Sequence, residues 1–108
     1  MNSEVVVRGY YDAIDAHDYE TFEGLLTPDV VHERPDRTIE GRETLVTFMR
    51  DDRPNKQTTH EISEVAENGA KAVVEGRLLD SDGEQLFAFE DEFSIADGRI
   101  AKIRTRTR

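Results

Sequence analysis

The chain has 108 residues, 36% of them hydrophobic, with no tryptophan and no cysteine. That length makes a single domain, 1–108, with a modest core, and the missing thiols exclude a disulfide framework, a zinc-thiolate site and a cysteine nucleophile. Twenty-four acids against 14 bases, a net charge of −10, disfavour nucleic acid and anionic membrane surfaces as partners. The same charge fits either an ordinary acidic surface that maintains solubility or adaptation to a salty cytoplasm, where screening makes dense acid tolerable.

Near the N-terminus the apolar run Val5–Val7 is broken by Arg8, too short and too polar for a signal peptide or a membrane span. The expectation is a soluble, cytoplasmic protein. Ser3 is placed to cap a first helix carrying Val6, Tyr10, Ala13, Ile14 and His17 at helical spacing. Asp18 is placed to cap a second, with Tyr19, Phe22, Leu25 and Leu26 on its apolar stripe and Thr27-Pro28 as its stop. "DVVHERP" reads as a short strand ended by Pro35, "DRTIEG" as a polar loop, and 41–51 as a third helix with Leu45, Phe48 and Met49 inward.

The second half is strand signal punctuated by Asn68-Gly69, Asp82-Gly83 and Asp97-Gly98, which divide it into antiparallel strands of about 57–67, 70–80, 84–96 and 99–106. Helices first and strands after imply an α+β fold, with the helices packed on one face of a curved sheet. The basic end is a strand rather than a disordered arm, because Lys102, Arg104, Arg106 and Arg108 share one face and Ala101, Ile103 and Thr105 the other.

On 84–96, alternation places Phe87, Phe89, Asp91, Phe93 and Ile95 on one face, so a carboxyl sits in an aromatic row. A three-residue loop at 96–98 sets Phe93 opposite Ala101, Asp91 opposite Ile103 and Phe89 opposite Thr105, with Glu92 facing Lys102 and Glu90 facing Arg104 outside. A two-residue turn would instead waste Ile103 on the wet face. An Asp82-Gly83 turn sets Val74 opposite Asp91, Gly76 opposite Phe89 and Leu78 opposite Phe87. The small side chains there leave room for a pocket. Ile62 and Val65 have opposite parity, which suggests a bulge near Ser63-Glu64 that turns His60 inward.

This order of helices and strands, with "AIDAHDYETFEGLLTPDVVHERP" and "DEFSIADGRIAKIR", resembles the SnoaL-like branch of the nuclear transport factor 2-like superfamily, similar in layout to ketosteroid isomerases and polyketide cyclases. The resemblance implies a cone: three N-terminal helices packed in the concave face of a curved, mainly antiparallel sheet. It also implies a helix tyrosine and a protonated strand aspartate on a substrate oxyanion, an arrangement that general accounts of ketosteroid isomerase describe, and these fall on Tyr10 and Asp91. The base position falls on Arg34, which stays protonated and cannot abstract a proton.

His32, on the pocket side of its strand with Val30 and Arg34, is then the alternative acid or base, titrating near neutral pH. Asp91, His32 and Tyr10 are the candidate catalytic residues. Arg34, Phe89, Phe93, His60, Gly76 and Ile103 are the candidate ligand contacts. Plainer roles stay open: His32 bonded to backbone, Tyr10 a core aromatic with its hydroxyl on Asp91, and Asp91 ionised against Arg34. No metal site is expected, since His32, His60 and Asp91 have no supporting spacing. The reading is cofactor-free isomerase, cyclase or hydratase chemistry on a small apolar carbonyl or enol ligand, or else a non-catalytic module that binds such a ligand or dimerises. A homodimer through the outer sheet face, with Glu90, Glu92, Lys102 and Arg104 at or beside the contact, is expected.

Overall fold

A computed structural model of the chain describes residues 3–53 and 55–108. Helix α1 (Ser3–Asp15) buries Val6, Val7, Tyr10, Tyr11, Ala13 and Ile14, a broad stripe at helical spacing. Ser3, expected as its cap, lies inside the helix and its hydroxyl donates to the Gly69 carbonyl at 3.3 Å. Asp18 does cap α2 (Tyr19–Gly24), accepting from the Thr21 backbone N–H at 3.2 Å.

That second helix is shorter than its apolar pattern. It stops before Leu25, and strand β1 (Leu26–Glu33) begins at Leu26 and runs through Thr27-Pro28. Leu26 serves the sheet instead, fully buried and paired with Ile100. The expected loop after Pro35 contains a short strand, β2 (Thr38–Glu40), whose Ile39 is buried opposite His32. Gly41, at φ 94°, starts α3 (Arg42–Thr47), which widens into a π-helical turn at Phe48–Asp52. Leu45, Phe48 and Met49 all face inward as expected.

Four long strands follow: β3 (Thr59–Asn68), β4 (Lys71–Leu79), β5 (Gln85–Ala96) and β6 (Arg99–Thr107). The sheet order is β2-β1-β6-β5-β4-β3, with β1 parallel to β6 and the other pairings antiparallel. The sheet curves over the helices without closing. Val74, Asp91 and Phe93 face that interior with the stripe of α1.

Three irregularities aim side chains into the interior. On β3 the register shifts between Ile62 and Glu64, at the expected bulge, and His60 lies on the cavity side. On β5 the shift beyond Leu78 makes Leu86 the extra residue, while the pairings Val74–Asp91, Gly76–Phe89 and Leu78–Phe87 hold as read from the sequence. On β6 the outcome differs from the expectation. Asp97 and Gly98 both have positive φ, 54° and 77°, and form a two-residue turn that pairs Ala96 with Arg99. Ile95 then pairs with Ile100 and Ser94 with Lys102, so Ala101 is a bulge.

The bulge lets Ile100 and Ile103, of opposite parity, both reach the core. It also slides β6 two residues from the expected register: Phe93 faces Ile103, and Asp91 faces Thr105. A slip of two keeps every side chain on its face. Outside, Glu92 therefore meets Arg104 and Glu90 meets Arg106, still opposite in charge. Arg106 reaches Glu90 at 3.2 Å and Lys102 reaches Glu33 at 2.8 Å, solvent-screened pairs that contribute little to stability.

At Gly76 the backbone of β3 passes close to β4. A Cβ there would lie 2.5 Å from the Glu61 carbonyl oxygen and 3.0 Å from the Phe89 ring. Backbone cannot yield as a side chain can, so Gly76→Ala is expected to lower stability by about 1–3 kcal/mol. Urea unfolding measures it, and an unchanged midpoint would show that β3 and β4 can part at no cost.

Candidate functional site

The concave face and the helices enclose a cavity of about 520 Å³. Asp91, His32, Tyr10, Arg34, Phe89 and His60 all line it. Phe93, Gly76 and Ile103 are not among its lining residues. Phe93 is buried against the Tyr10 and Tyr11 rings, Ile103 is buried between β1 and β5, and Gly76 serves the close passage of β3. Thr105, Arg53 and Thr58, not expected from the sequence, line the cavity as well.

At its centre is the Asp91 carboxyl, 6% exposed. The Tyr11 hydroxyl donates to Asp91 Oδ2 at 2.6 Å and the Thr105 hydroxyl donates to Oδ1 at 2.6 Å. The hydroxyl contact with Asp91 that the sequence suggested for Tyr10 is made by Tyr11. Tyr10 lines the cavity and packs edge-on against Tyr11 at 5.1 Å, and it is Tyr11 whose hydroxyl meets the acid. Burial pushes the Asp91 carboxyl up from its ordinary value, opposed by the hydrogen bonds from Thr105 and Tyr11 and more weakly by His60 and Arg34. Burial raises both phenols as well, with the negative charge of Asp91 adding to it, so both stay protonated.

A third partner extends this chain. His32 Nε2 lies 2.8 Å from Thr105 Oγ1. The expectation that His32 titrates near neutral pH is not met: burial, and then the positive charge of Arg34, hold it down at about 3. A neutral imidazole donates from one nitrogen only. With Thr105 donating to an ionised Asp91, His32 must donate from Nε2. If Asp91 instead donates to Thr105, the hydroxyl turns to His32 and the imidazole proton moves to Nδ1. Tyr11, Asp91, Thr105 and His32 thus form one hydrogen-bonded chain whose polarity follows the charge of Asp91.

On another wall, His60 belongs to a separate pair. Its Nδ1 lies 2.6 Å from Asp15 Oδ1, and its backbone N–H donates to Asp15 Oδ2 at 2.9 Å. In a neutral ring a carboxylate on Nδ1 holds the proton there and leaves the lone pair on Nε2. Arg34 does not ion-pair with Asp91. Its guanidinium sits 5.0 Å over the Phe48 ring and 3.9 Å from the exposed Asp36 carboxylate. His32 Nδ1, Arg34 Nε and Thr58 Oγ1, all on residues that line the cavity, are buried without a hydrogen-bond partner among the described residues.

His32 and Asp91 make stability depend on pH with opposite signs. The His32 value is depressed from 6.5, so the unfolded chain takes up a proton that the native site refuses, and stability falls as pH drops from about 6.5 toward 3. The Asp91 value is raised from 3.8, so the native site keeps a proton that the unfolded chain releases, and stability falls as pH rises above that value. Above pH 3.8 the two slopes therefore oppose one another. Relative to wild type, His32→Gln is expected to lose stability as pH rises toward 6.5, and Asp91→Asn to gain it as pH rises from 3.8. Urea melts across this range measure it, and identical slopes in all three proteins would contradict the opposed titrations.

Comparison with known proteins places these features in a family. No curated protein matches the sequence. Among solved structures, a nuclear transport factor 2-like protein of unknown function from Cytophaga hutchinsonii superposes with a TM-score of 0.86 at 14% identity, over 100% of this chain and 91% of that one. A candidate ketosteroid isomerase from Kribbella flavida gives 0.85 at 23% identity, over 96% of this chain and 76% of that one. A candidate polyketide cyclase from Sinorhizobium meliloti gives 0.81 at 24% identity, over 94% and 93%. Likeness at such identities establishes the fold and leaves the chemistry to the site. The family assignment comes from the sequence: a SnoaL-like domain model matches residues 7–103, and the chain belongs to the SnoaL-like family.

Proposed function

We propose that the protein is a small-molecule enzyme performing cofactor-free acid–base chemistry, an isomerisation, cyclisation or hydration, on an apolar ligand with a carbonyl or enol. The observation that carries this reading is the buried Asp91 carboxyl, held by Tyr11 and Thr105 and facing a cavity that also presents the Asp15-supported His60. The two groups suit complementary roles.

Asp91, pushed toward its neutral form by burial, is the acid. Its O–H donates to the ligand carbonyl oxygen. His60 Nε2 is the base, taking a proton from the carbon beside that carbonyl while the C–H electron pair becomes the enol double bond. Returning the proton from His60 to another carbon completes an isomerisation. Asp15 stabilises the imidazolium formed between these steps. Tyr11 and Thr105 keep donors on Asp91 as negative charge grows there, and neutral His32 supports Thr105 from behind.

Exchange of the α-protons of 1-tetralone in deuterated buffer, followed by proton NMR, tests the chemistry without knowledge of the natural substrate. Wild-type protein is expected to accelerate exchange over buffer, with His60→Gln and Asp91→Asn each losing about 100-fold of that acceleration. If exchange proceeds at the same rate in both variants, the acid–base reading fails and a ligand-binding module of the same fold is the better account. A homodimer through the outer sheet face, with Glu90, Glu92, Lys102 and Arg104 at or beside the contact, is part of the proposal. Sedimentation as a monomer at micromolar concentration would remove it.

A further inference from the structure

The cavity is cationic in a protein of net charge −10. Arg34 and Arg53 both line it, and Asp91, the one carboxyl among its described lining residues, is driven toward neutrality by burial. Neither guanidinium is spent on structure in the usual way. Arg34 has a buried Nε without a hydrogen-bond partner among the described residues, a Phe48 ring beneath it, and only the exposed Asp36 at 3.9 Å as counter-charge. Arg53 is anchored from behind, Nε donating to the Met49 carbonyl at 2.9 Å and Nη2 to the Tyr19 hydroxyl at 3.3 Å, with no carboxylate in ion-pair range among the described residues. Both charges lower the Tyr10 hydroxyl's value, against burial and Asp91, which raise it.

Leaving the Arg34 Nε without a hydrogen-bond partner beside an apolar cavity is costly, and the cost is recovered when a planar anion enters. Surplus acid lies elsewhere in the chain, yet among the described residues no acidic side chain reaches the Arg34 guanidinium more closely than Asp36. The rest of the wall, including Phe87, Phe89 and Leu78, suits an apolar body. We propose that the ligand carries a carboxylate, bound by Arg34 with Arg53 beside it, so that the substrate class is an apolar keto or enol acid with its anionic end at the arginines and its reacting carbonyl toward Asp91 and His60. This rests on the acid–base reading above for the carbonyl end only. The arginine site itself is a matter of binding.

The test compares 2-naphthylacetate with its neutral amide, 2-naphthylacetamide, by titration calorimetry on the full chain at pH 7.5. Wild-type protein is expected to bind the carboxylate about tenfold or more tightly than the amide, as charge-assisted hydrogen bonds require. Arg34→Met is expected to bring that ratio near one, and Arg34→Lys to keep part of it, with melting curves confirming that both variants fold. Equal affinity for the two compounds in wild type, binding of neither, or a ratio unchanged in Arg34→Met overturns the inference. Tetralone exchange separates the two proposals: exchange without carboxylate preference removes the anion site alone, and carboxylate preference without exchange removes the acid–base chemistry alone.

Discussion

A carboxyl group on the apolar face of a strand must find donors or lose its charge, and the interior of this protein is arranged around that requirement at Asp91. An isolated buried carboxylate is costly, whereas one that accepts two short hydrogen bonds is tolerable and one that is protonated is less costly still. Tyr11 comes from the first helix and Thr105 from the last strand, so the acid joins the two ends of the chain. Helix α1 cannot rotate on the sheet without breaking the first bond. Strand β6 cannot slip against β5 without breaking the second.

The second bond depends on the Ala101 bulge. Without it, the two-residue turn would bring Arg104 opposite Asp91 and set an ion pair in the core. With it, the partner is a hydroxyl that both donates and accepts. A threonine keeps the acid responsive, because the hydrogen-bond chain can run from His32 to Asp91 or back again as the charge changes, whereas an arginine would lock the acid in its ionised form. The positive charge that a paired Arg104 would have spent on Asp91 goes instead to Glu33 on the outer face, at 3.6 Å.

Turn dipeptides and alternation were enough to read β3 to β6, the inward face of β5, the Ser63 bulge and the pairing of Gly76 with Phe89. What could not be read has local physical reasons. Tyr10 and Tyr11 lie 100° apart on a helix whose buried arc is wide enough for both, so helical spacing cannot say which hydroxyl meets Asp91. A register slip of two keeps residues on their faces, so burial patterns are blind to it although the partners of Phe89, Glu90, Asp91, Glu92 and Phe93 all change. Leu25 and Leu26 continue the helical stripe of α2, but Leu26 is needed opposite Ile100 and tertiary packing wins. Asp15 and His60 are 45 residues apart and meet only once α1 is docked on β3. His32 has an ordinary pattern in sequence, and its depressed value comes from burial that no spacing reveals.

The departure at Arg34 then has a consistent physical account. The resemblance to ketosteroid isomerases implies a carboxylate base at that position, on the β1 wall of the cavity. Here the β1 wall carries a guanidinium and a neutral imidazole, and His60, the proposed proton acceptor, stands with Asp15 at the junction of α1 and β3. A cation beside a base lowers its basicity, and on this wall burial, and then the charge of Arg34, depress His32. Placing the cation on one wall and the Asp15-supported histidine on another keeps the two apart. A site divided in this way can hold an anion without protonating it and take a proton from carbon without repelling it, provided that the ligand is long enough to reach from Arg34 to His60 past Asp91.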